Sequence, residues 1–133
     1  MKRGTILFHR QFKFTDGELG KKYIVIINSP TNSEPYLILK TTSQPKNKPS
    51  TPGCHVNKSV FMLPERKDFF PLNTWIQFFE IFEFNFQYFL NGKFKGDLEI
   101  VGQLKEQTIN EIVNCIKRSD DITKYQRSLL SGR

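Results

Sequence analysis

The part of the chain best equipped for chemistry combines basic side chains with hydroxyls and holds few carboxylates. Residues 1–67 contain 12 Lys and Arg residues against 4 Asp and Glu residues. Basic side chains and hydroxyls can accept a proton, neutralise a pentavalent phosphorane and protonate a leaving oxygen. The candidates for these tasks are the basic residues Arg10, Lys21, Lys22, His9, Arg66 and His55 and the hydroxyls of Thr41, Thr42 and Ser43.

This composition favours phosphodiester chemistry without a metal ion. A two-metal mechanism needs several convergent carboxylates, and this half offers only Asp16, Glu18, Glu34 and Glu65. RNA suits a metal-free route because its own 2′-hydroxyl can attack the adjacent phosphorus. We therefore expect no metal site and no cofactor. Each candidate also has an ordinary alternative, since a lysine beside a turn is usually solvated and a threonine at a strand end usually bonds to backbone.

The cysteines and histidines give no sign of a metal or nucleophile site. Cys54, His55, His9 and Cys115 lack zinc-type spacing, and adjacent side chains on a strand point to opposite faces. Two cysteines are too few for a disulfide framework and are typical of the cytoplasm. The N-terminus leads into a strand-like segment rather than a signal peptide. The apolar run 23–27 is far shorter than the ~20 residues of a membrane span, so we expect a cytoplasmic protein without a membrane partner.

The elements that must position these side chains are mainly short strands. Apolar runs at 23–27 and 36–39 predict strands buried on both faces. Further strand-like segments lie at 5–8, 12–14, 54–63 and 74–82. Residues 44–53 contain three prolines and two lysines, which predicts a loop because proline is excluded from central strands.

Aromatic residues dominate the middle of the chain, where 10 of the 13 phenylalanines fall within residues 61–94. Alternation with a period of two over residues 84–90, followed by Asn91-Gly92, predicts a β-hairpin. Such an aromatic row is either a base-stacking platform or, more often, the inner face of a small barrel.

The end of the chain changes to helical spacing. An amphipathic helix is predicted at about 104–118, a break at 119–121 and a short helical piece within 122–130. The whole chain, 1–133, is thus predicted to be one domain, mostly β, with five to seven strands over about 3–100 and a C-terminal α-helix.

Several short motifs resemble the MazF/PemK-type toxins, the endoribonucleases of type II toxin–antitoxin systems. The similarity spans about residues 3–120. It is carried by the motifs at 2–7 (KRGTIL), 14–17 (FTDG), 20–28 (GKKYIVIIN), 42–44 (TSQ) with the basic, proline-containing loop after it, 74–76 (TWI) and 102–104 (GQL).

The resemblance implies a small SH3-like barrel with a C-terminal helix and a homodimer. It also implies metal-independent cleavage of single-stranded RNA by 2′-hydroxyl attack, and inhibition by an antitoxin with an acidic segment. The catalytic pair of the family maps to Lys22 and Thr42. Substrate-binding residues are then expected among Arg10, Lys21, Thr41, Ser43, Lys46 and Lys48.

The chain departs from the family pattern at three positions. Lys22 stands where the family has Arg, Tyr23 where it has Pro, and Thr5 where it usually has Asp. Lysine offers a point charge in place of the planar fork of arginine. Three readings follow: an active endoribonuclease, in which the catalytic task rests with Lys22 or has moved to Arg10 or His9; a catalytically weakened nucleic-acid-binding module; or a protein-interaction barrel whose basic face takes an acidic peptide.

Overall fold

The structure is a computed structural model that describes residues 1–13, 19–31 and 33–130. The motif at 14–17 therefore lies outside the described residues. Within them the chain forms seven strands, three α-helices and one 3₁₀ turn. The strands are β1 (Thr5–Lys13), β2 (Leu19–Ile26), β3 (Tyr36–Thr42), β4 (Gly53–His55), β5 (Val60–Leu63), β6 (Thr74–Phe84) and β7 (Leu98–Gln103). The helices are α1 (Phe86–Phe94), α2 (Glu106–Lys117) and α3 (Lys124–Leu130), and the 3₁₀ turn is Val56–Lys58.

The strands form one antiparallel sheet in the order β4-β5-β6-β3-β2-β1-β7. This confirms the prediction of a mostly β chain with five to seven strands and a C-terminal helix. Over the described residues the sheet is open, with β4 and β7 at its edges. The closure of an SH3-like barrel stays a prediction.

The central strands are buried on both faces, as their continuous apolar runs predicted. On one face Val25 and Leu39 belong to a core that includes side chains of α2 and α3. On the other face Ile24 and Ile38 pack in a second core that includes Phe89 of α1. This two-sided burial fixes β2 and β3, which carry the candidate catalytic residues Lys22 and Thr42.

The hairpin predicted around Asn91-Gly92 is wrong, because the segment forms helix α1. The Asn85 side chain accepts a hydrogen bond of 2.8 Å from the backbone N–H of Tyr88 and so caps the first turn. Gly92 lies inside the helix, and a Cβ there would sit 2.5 Å from Leu98 Cδ1. The glycine permits close packing of α1 on β7 rather than a tight turn.

The single strand predicted over 54–63 is also wrong. The chain reverses through the 3₁₀ turn and Ser59, whose φ is 54°, so that β4 and β5 pair with each other.

A disulfide joins Cys54 on β4 to Cys115 on α2. The sequence did not predict this bond, because two cysteines are too few for a disulfide framework. The two residues are 61 positions apart, and only the packing of α2 beside β4 brings them together.

The helical predictions at the C-terminus are confirmed. The helix expected at about 104–118 is α2, which ends at Lys117 before Ser119, and α3 follows within the predicted 122–130. Among the described residues no helix has the length and apolarity to cross a membrane.

Candidate functional site

A cavity of about 330 Å³ opens where the middle of β2 meets the end of β3. Five residues predicted to form the site line it: Lys21, Lys22, Thr41, Thr42 and Ser43. The other lining residues are Phe8, Tyr23, Gln44, Phe69, Phe70, Pro71, Leu72 and Thr74.

Strand pairing explains why residues twenty positions apart meet here. β2 and β3 are antiparallel, with Ile24 opposite Lys40. Residues 21–23 of β2 therefore lie beside the end of β3. The Thr41 hydroxyl donates a 2.8 Å hydrogen bond to the carbonyl oxygen of Tyr23, which ties the two strands together at the cavity. Thr41 is buried, so its hydroxyl serves the backbone, as strand-end threonines usually do.

Lys22 is the most constrained cation of the site. Its ammonium donates a 3.0 Å hydrogen bond to the carbonyl oxygen of Thr41, and its backbone pairs with His9 of β1. Burial lowers the pKa of Lys22 below the ordinary 10.5, and the positive charges of Lys40 and Lys48 lower it further. Lys22 is thus a half-buried cation that gives up its proton more readily than a surface lysine.

Thr42 sits at the last position of β3, beside Lys22. Its hydroxyl accepts a 3.2 Å hydrogen bond from the backbone N–H of Gln44, and Trp75 lies opposite it on β6. This bond uses one acceptor lone pair of the Thr42 hydroxyl. Its O–H group can still donate to an oxygen of a bound phosphate.

The proline-containing loop carries the remaining predicted cations, Lys46 and Lys48. The indole N–H of buried Trp75 donates a 2.7 Å hydrogen bond to the carbonyl oxygen of Pro49, which holds the loop against the sheet. Lys48 is half-buried and close enough to lower the pKa of Lys22. Lys46 is exposed and stands outside the cavity lining.

Arg10 is not brought to the cavity. Its guanidinium donates to Glu99 at 2.8 Å and to the carbonyl oxygen of Gly96 at 3.0 Å, and it lies 5.2 Å from the ring centre of Phe8. An ion pair with β7 therefore holds the Arg10 side chain, which is not among the residues that line the cavity. Its role as a substrate-binding residue stays a prediction.

The other basic candidates also have local partners. His9 is buried, and its Nε2 lies 2.7 Å from the Tyr88 hydroxyl. His55 Nε2 lies 2.7 Å from the carbonyl oxygen of Thr51, and Arg66 occupies a turn with a φ of 60°. These three residues stand outside the lining of the cavity.

Sequence reasoning missed the aromatic wall of the site. Phe69 and Phe70 come from the connection between β5 and β6 and face Tyr23, whose ring centre lies 6.2 Å and 6.0 Å from theirs. The available signal was an adjacent aromatic pair that follows the charged run 65–68 and precedes Pro71.

The described residues contain no group of three or more His, Cys, Asp or Glu side chains arranged to hold a metal ion. The side chains that meet at the cavity are lysines, which can bind a phosphate, and a threonine hydroxyl. One of these lysines loses its proton more readily than an ordinary lysine. This set can bind a phosphodiester and move a proton.

Comparison of the chain with family models, curated proteins and solved structures finds no match. The MazF/PemK resemblance therefore stays a proposal.

Proposed function

We propose that this chain binds single-stranded RNA at the cavity between β2 and β3 and cleaves it without a metal ion. The observation that carries the proposal is the lining of one cavity by Lys21, Lys22, Thr41, Thr42 and Ser43. These residues come from two separate segments, and the motifs in both segments resemble those of the MazF/PemK-type toxins.

In the proposed reaction the 2′-hydroxyl of RNA attacks the adjacent phosphorus and displaces the 5′-oxygen. Thr42 hydrogen-bonds the scissile phosphate or the 2′-hydroxyl. Lys22 neutralises the phosphorane and shuttles a proton. It gives its own proton to the 5′-oxygen and regains the proton that the 2′-hydroxyl loses, so the products are a 2′,3′-cyclic phosphate and a 5′-hydroxyl. A lowered pKa suits that second task, because a proton carrier works best when its pKa lies near the operating pH.

Two further cations extend the site toward the substrate backbone. Lys21 is an exposed residue at the rim, and Lys48 comes from the loop held by Trp75. Single strands are the expected substrate because their phosphates and bases are free to follow an irregular surface.

The biological role that fits this chemistry is that of the toxin in a toxin–antitoxin system. The first half of the chain carries a net charge of +8, from 12 basic and 4 acidic residues. Such a surface suits both RNA and an antitoxin with an acidic segment. Homodimer formation and a cytoplasmic location belong to the same proposal. The disulfide between Cys54 and Cys115 removes the cysteine-based support for that location, because the cytosol keeps thiols reduced.

The direct test is incubation of the purified protein with mixed-sequence RNA in the presence of EDTA, followed by mapping of new 5′ ends. We expect 5′-hydroxyl ends with the wild type and a loss of at least about 100-fold in rate with Lys22→Ala or Thr42→Val. Lys124→Ala, which removes an exposed lysine on α3, is the matched control and should cleave like the wild type. Equal background cleavage by all four proteins would reject the proposal.

A second candidate function is nucleic-acid binding without cleavage. The observation that favours it is the hydrogen bond from the Lys22 ammonium to the Thr41 carbonyl, which engages the cation with its own backbone. In that case the wild type should bind a single-stranded oligonucleotide with a steep salt dependence and leave it intact.

The third reading is a protein-interaction barrel, in which the basic face takes an acidic peptide and RNA is not a ligand. Capture of an acidic partner by the wild type, together with salt-insensitive or absent RNA binding, would favour this reading over the other two.

A further inference from the structure

We propose that the aromatic side of the cavity is a pocket for one unstacked nucleobase, with Tyr23 as the ring on which the base stacks. The inference rests on the proposed RNA binding and adds a residue that governs which nucleotide occupies the site.

Tyr23 is the accessible ring in a cluster of aromatic side chains. It is 41% exposed, whereas Phe70 is 4% exposed. The edge-to-face contacts with Phe69 and Phe70 and the tilted contact with Phe8, at 5.1 Å, support the ring from neighbouring elements. A supported but accessible ring offers a base a stacking surface at little cost in conformational entropy.

The wall behind Tyr23 is held in place by hydrogen bonds and close packing. In the connection between β5 and β6, the backbone N–H of Arg66 donates to the carbonyl oxygen of Phe70 at 2.9 Å. The backbone N–H of Phe69 donates a 2.7 Å hydrogen bond to the carboxylate Oδ1 of its neighbour Asp68. A Cβ at Gly102 would lie 2.5 Å from the Phe69 ring, so the absence of a side chain there lets the ring pack against β7. The pocket is therefore preformed.

Size and charge both suit a nucleotide. A volume of about 330 Å³ lies at the lower end of the range for small-molecule pockets. Lys21 and Lys22 line the same cavity as Tyr23, and they are the cations that this proposal assigns to the phosphate of the stacked base. The exposed Ser43 and Gln44 add a hydroxyl and an amide that can read a base edge.

Charge argues for a nucleotide over an aromatic side chain of a protein partner. Two lysines and no Asp or Glu line the cavity within the described chain. A nucleotide uses both features of the site with a phosphate joined to the stacked base, whereas a peptide needs a separate acidic residue beside its aromatic residue.

The test uses a short single-stranded oligonucleotide with 2′-deoxyribose, so that cleavage is blocked, and one central 2-aminopurine. We expect its fluorescence to fall on binding to the wild type and to Tyr23→Phe, because both variants keep the ring. Tyr23→Ala should bind roughly 5- to 150-fold more weakly, the loss expected for one base–aromatic stack. An oligonucleotide with an abasic site at the central position should bind wild type and Tyr23→Ala equally.

The outcomes separate this inference from the proposed function. If the wild type binds the oligonucleotide and Tyr23→Ala binds it equally well, the base pocket is wrong while RNA binding stands. If the wild type binds no oligonucleotide at low salt, both proposals fall.

A peptide with an aromatic residue beside acidic residues is the rival ligand. Its binding to the wild type, in a Tyr23-dependent way and without oligonucleotide binding, would assign the pocket to a protein partner. Circular dichroism and thermal melting of Tyr23→Ala confirm that the variant is folded.

Discussion

The Lys22 ammonium and the Thr41 carbonyl oxygen are joined by a hydrogen bond of 3.0 Å. The cation that the proposed chemistry needs is thus held at the end of β3, one residue from the Thr42 hydroxyl, before any substrate arrives. A positioned cation loses little freedom on binding a phosphate, which is the advantage of preorganisation. The same bond means that a substrate must either share this ammonium with the carbonyl or displace it.

The lowered pKa of Lys22 predicts that phosphate binding weakens in a pH range where an ordinary lysine stays charged. Burial and the charges of Lys40 and Lys48 make Lys22 lose its proton below pH 10.5. We expect the affinity of the wild type for a 2′-deoxy oligonucleotide to fall as the pH rises toward 10.5, before an ordinary lysine loses its charge. Lys22→Arg is the matched variant, because a guanidinium stays protonated over this range, and its affinity should change less.

Fluorescence anisotropy at constant ionic strength measures both affinities. Parallel curves for wild type and Lys22→Arg would contradict the assignment of Lys22 to phosphate binding.

The meeting of residues 21–22 with residues 41–43 could be predicted from sequence, because strand periodicity and the motifs that resemble the MazF/PemK-type toxins pointed to the same two segments. The apolar runs after Lys22 and before Thr42 identify two buried strands, and antiparallel pairing of such strands brings their polar ends together. Strand periodicity did not predict the ion pair between Arg10 and Glu99. That ion pair depends on the position of β7, a strand that the sequence pattern did not reveal.

Other features required tertiary information. The alternation around Tyr88 mimics a strand, and only the cap at Asn85 and the burial of Phe89 select a helix. The bond between Cys54 and Cys115 depends on the docking of α2 on β4, and no local spacing encodes it.

His9 should make the protein less stable as the pH falls. Burial lowers the pKa of His9 below 6.5, although the negative charge of Asp97 opposes the shift. The unfolded chain therefore binds a proton more readily than the folded chain, and the free energy of unfolding decreases as the pH drops through 6.5 toward the folded-state pKa. The His9 ring accepts a hydrogen bond from the backbone N–H of Gln11 at Nδ1, 3.1 Å away, which places the proton of the neutral ring on Nε2, toward Tyr88.

Urea unfolding of wild type and His9→Gln between about pH 5 and pH 7.5 measures this effect. We expect a smaller slope of unfolding free energy against pH for His9→Gln than for the wild type. Identical slopes for the wild type and His9→Gln would show that His9 does not titrate differently on folding.

The disulfide between Cys54 and Cys115 should contribute substantially to stability. Because 61 positions separate the two residues, the chain-entropy model assigns the cross-link about 4 kcal/mol of unfolding free energy. We expect Cys115→Ser to lower the free energy of unfolding by an amount of this order. A thiol reductant should lower the free energy of unfolding of the wild type and leave that of Cys115→Ser unchanged. Insensitivity of the wild type to reductant, with two free thiols by titration, would contradict the bond.

Replacement of Asn85 by alanine separates the helix from the hairpin that the sequence pattern suggests. Asn85 is exposed, and its side chain accepts the Tyr88 N–H at the start of α1. Loss of that cap should lower the free energy of unfolding by about 1 kcal/mol. Asn85→Asp should keep most of the stability, since aspartate caps helices comparably. A strand at this position would respond in the opposite way, because both asparagine and aspartate are poor strand residues.

Chemical denaturation of the three proteins therefore decides between the two structures. A lower free energy of unfolding for the alanine variant than for the aspartate variant supports the helix. An aspartate variant that is less stable than the alanine variant, or equally stable, overturns it.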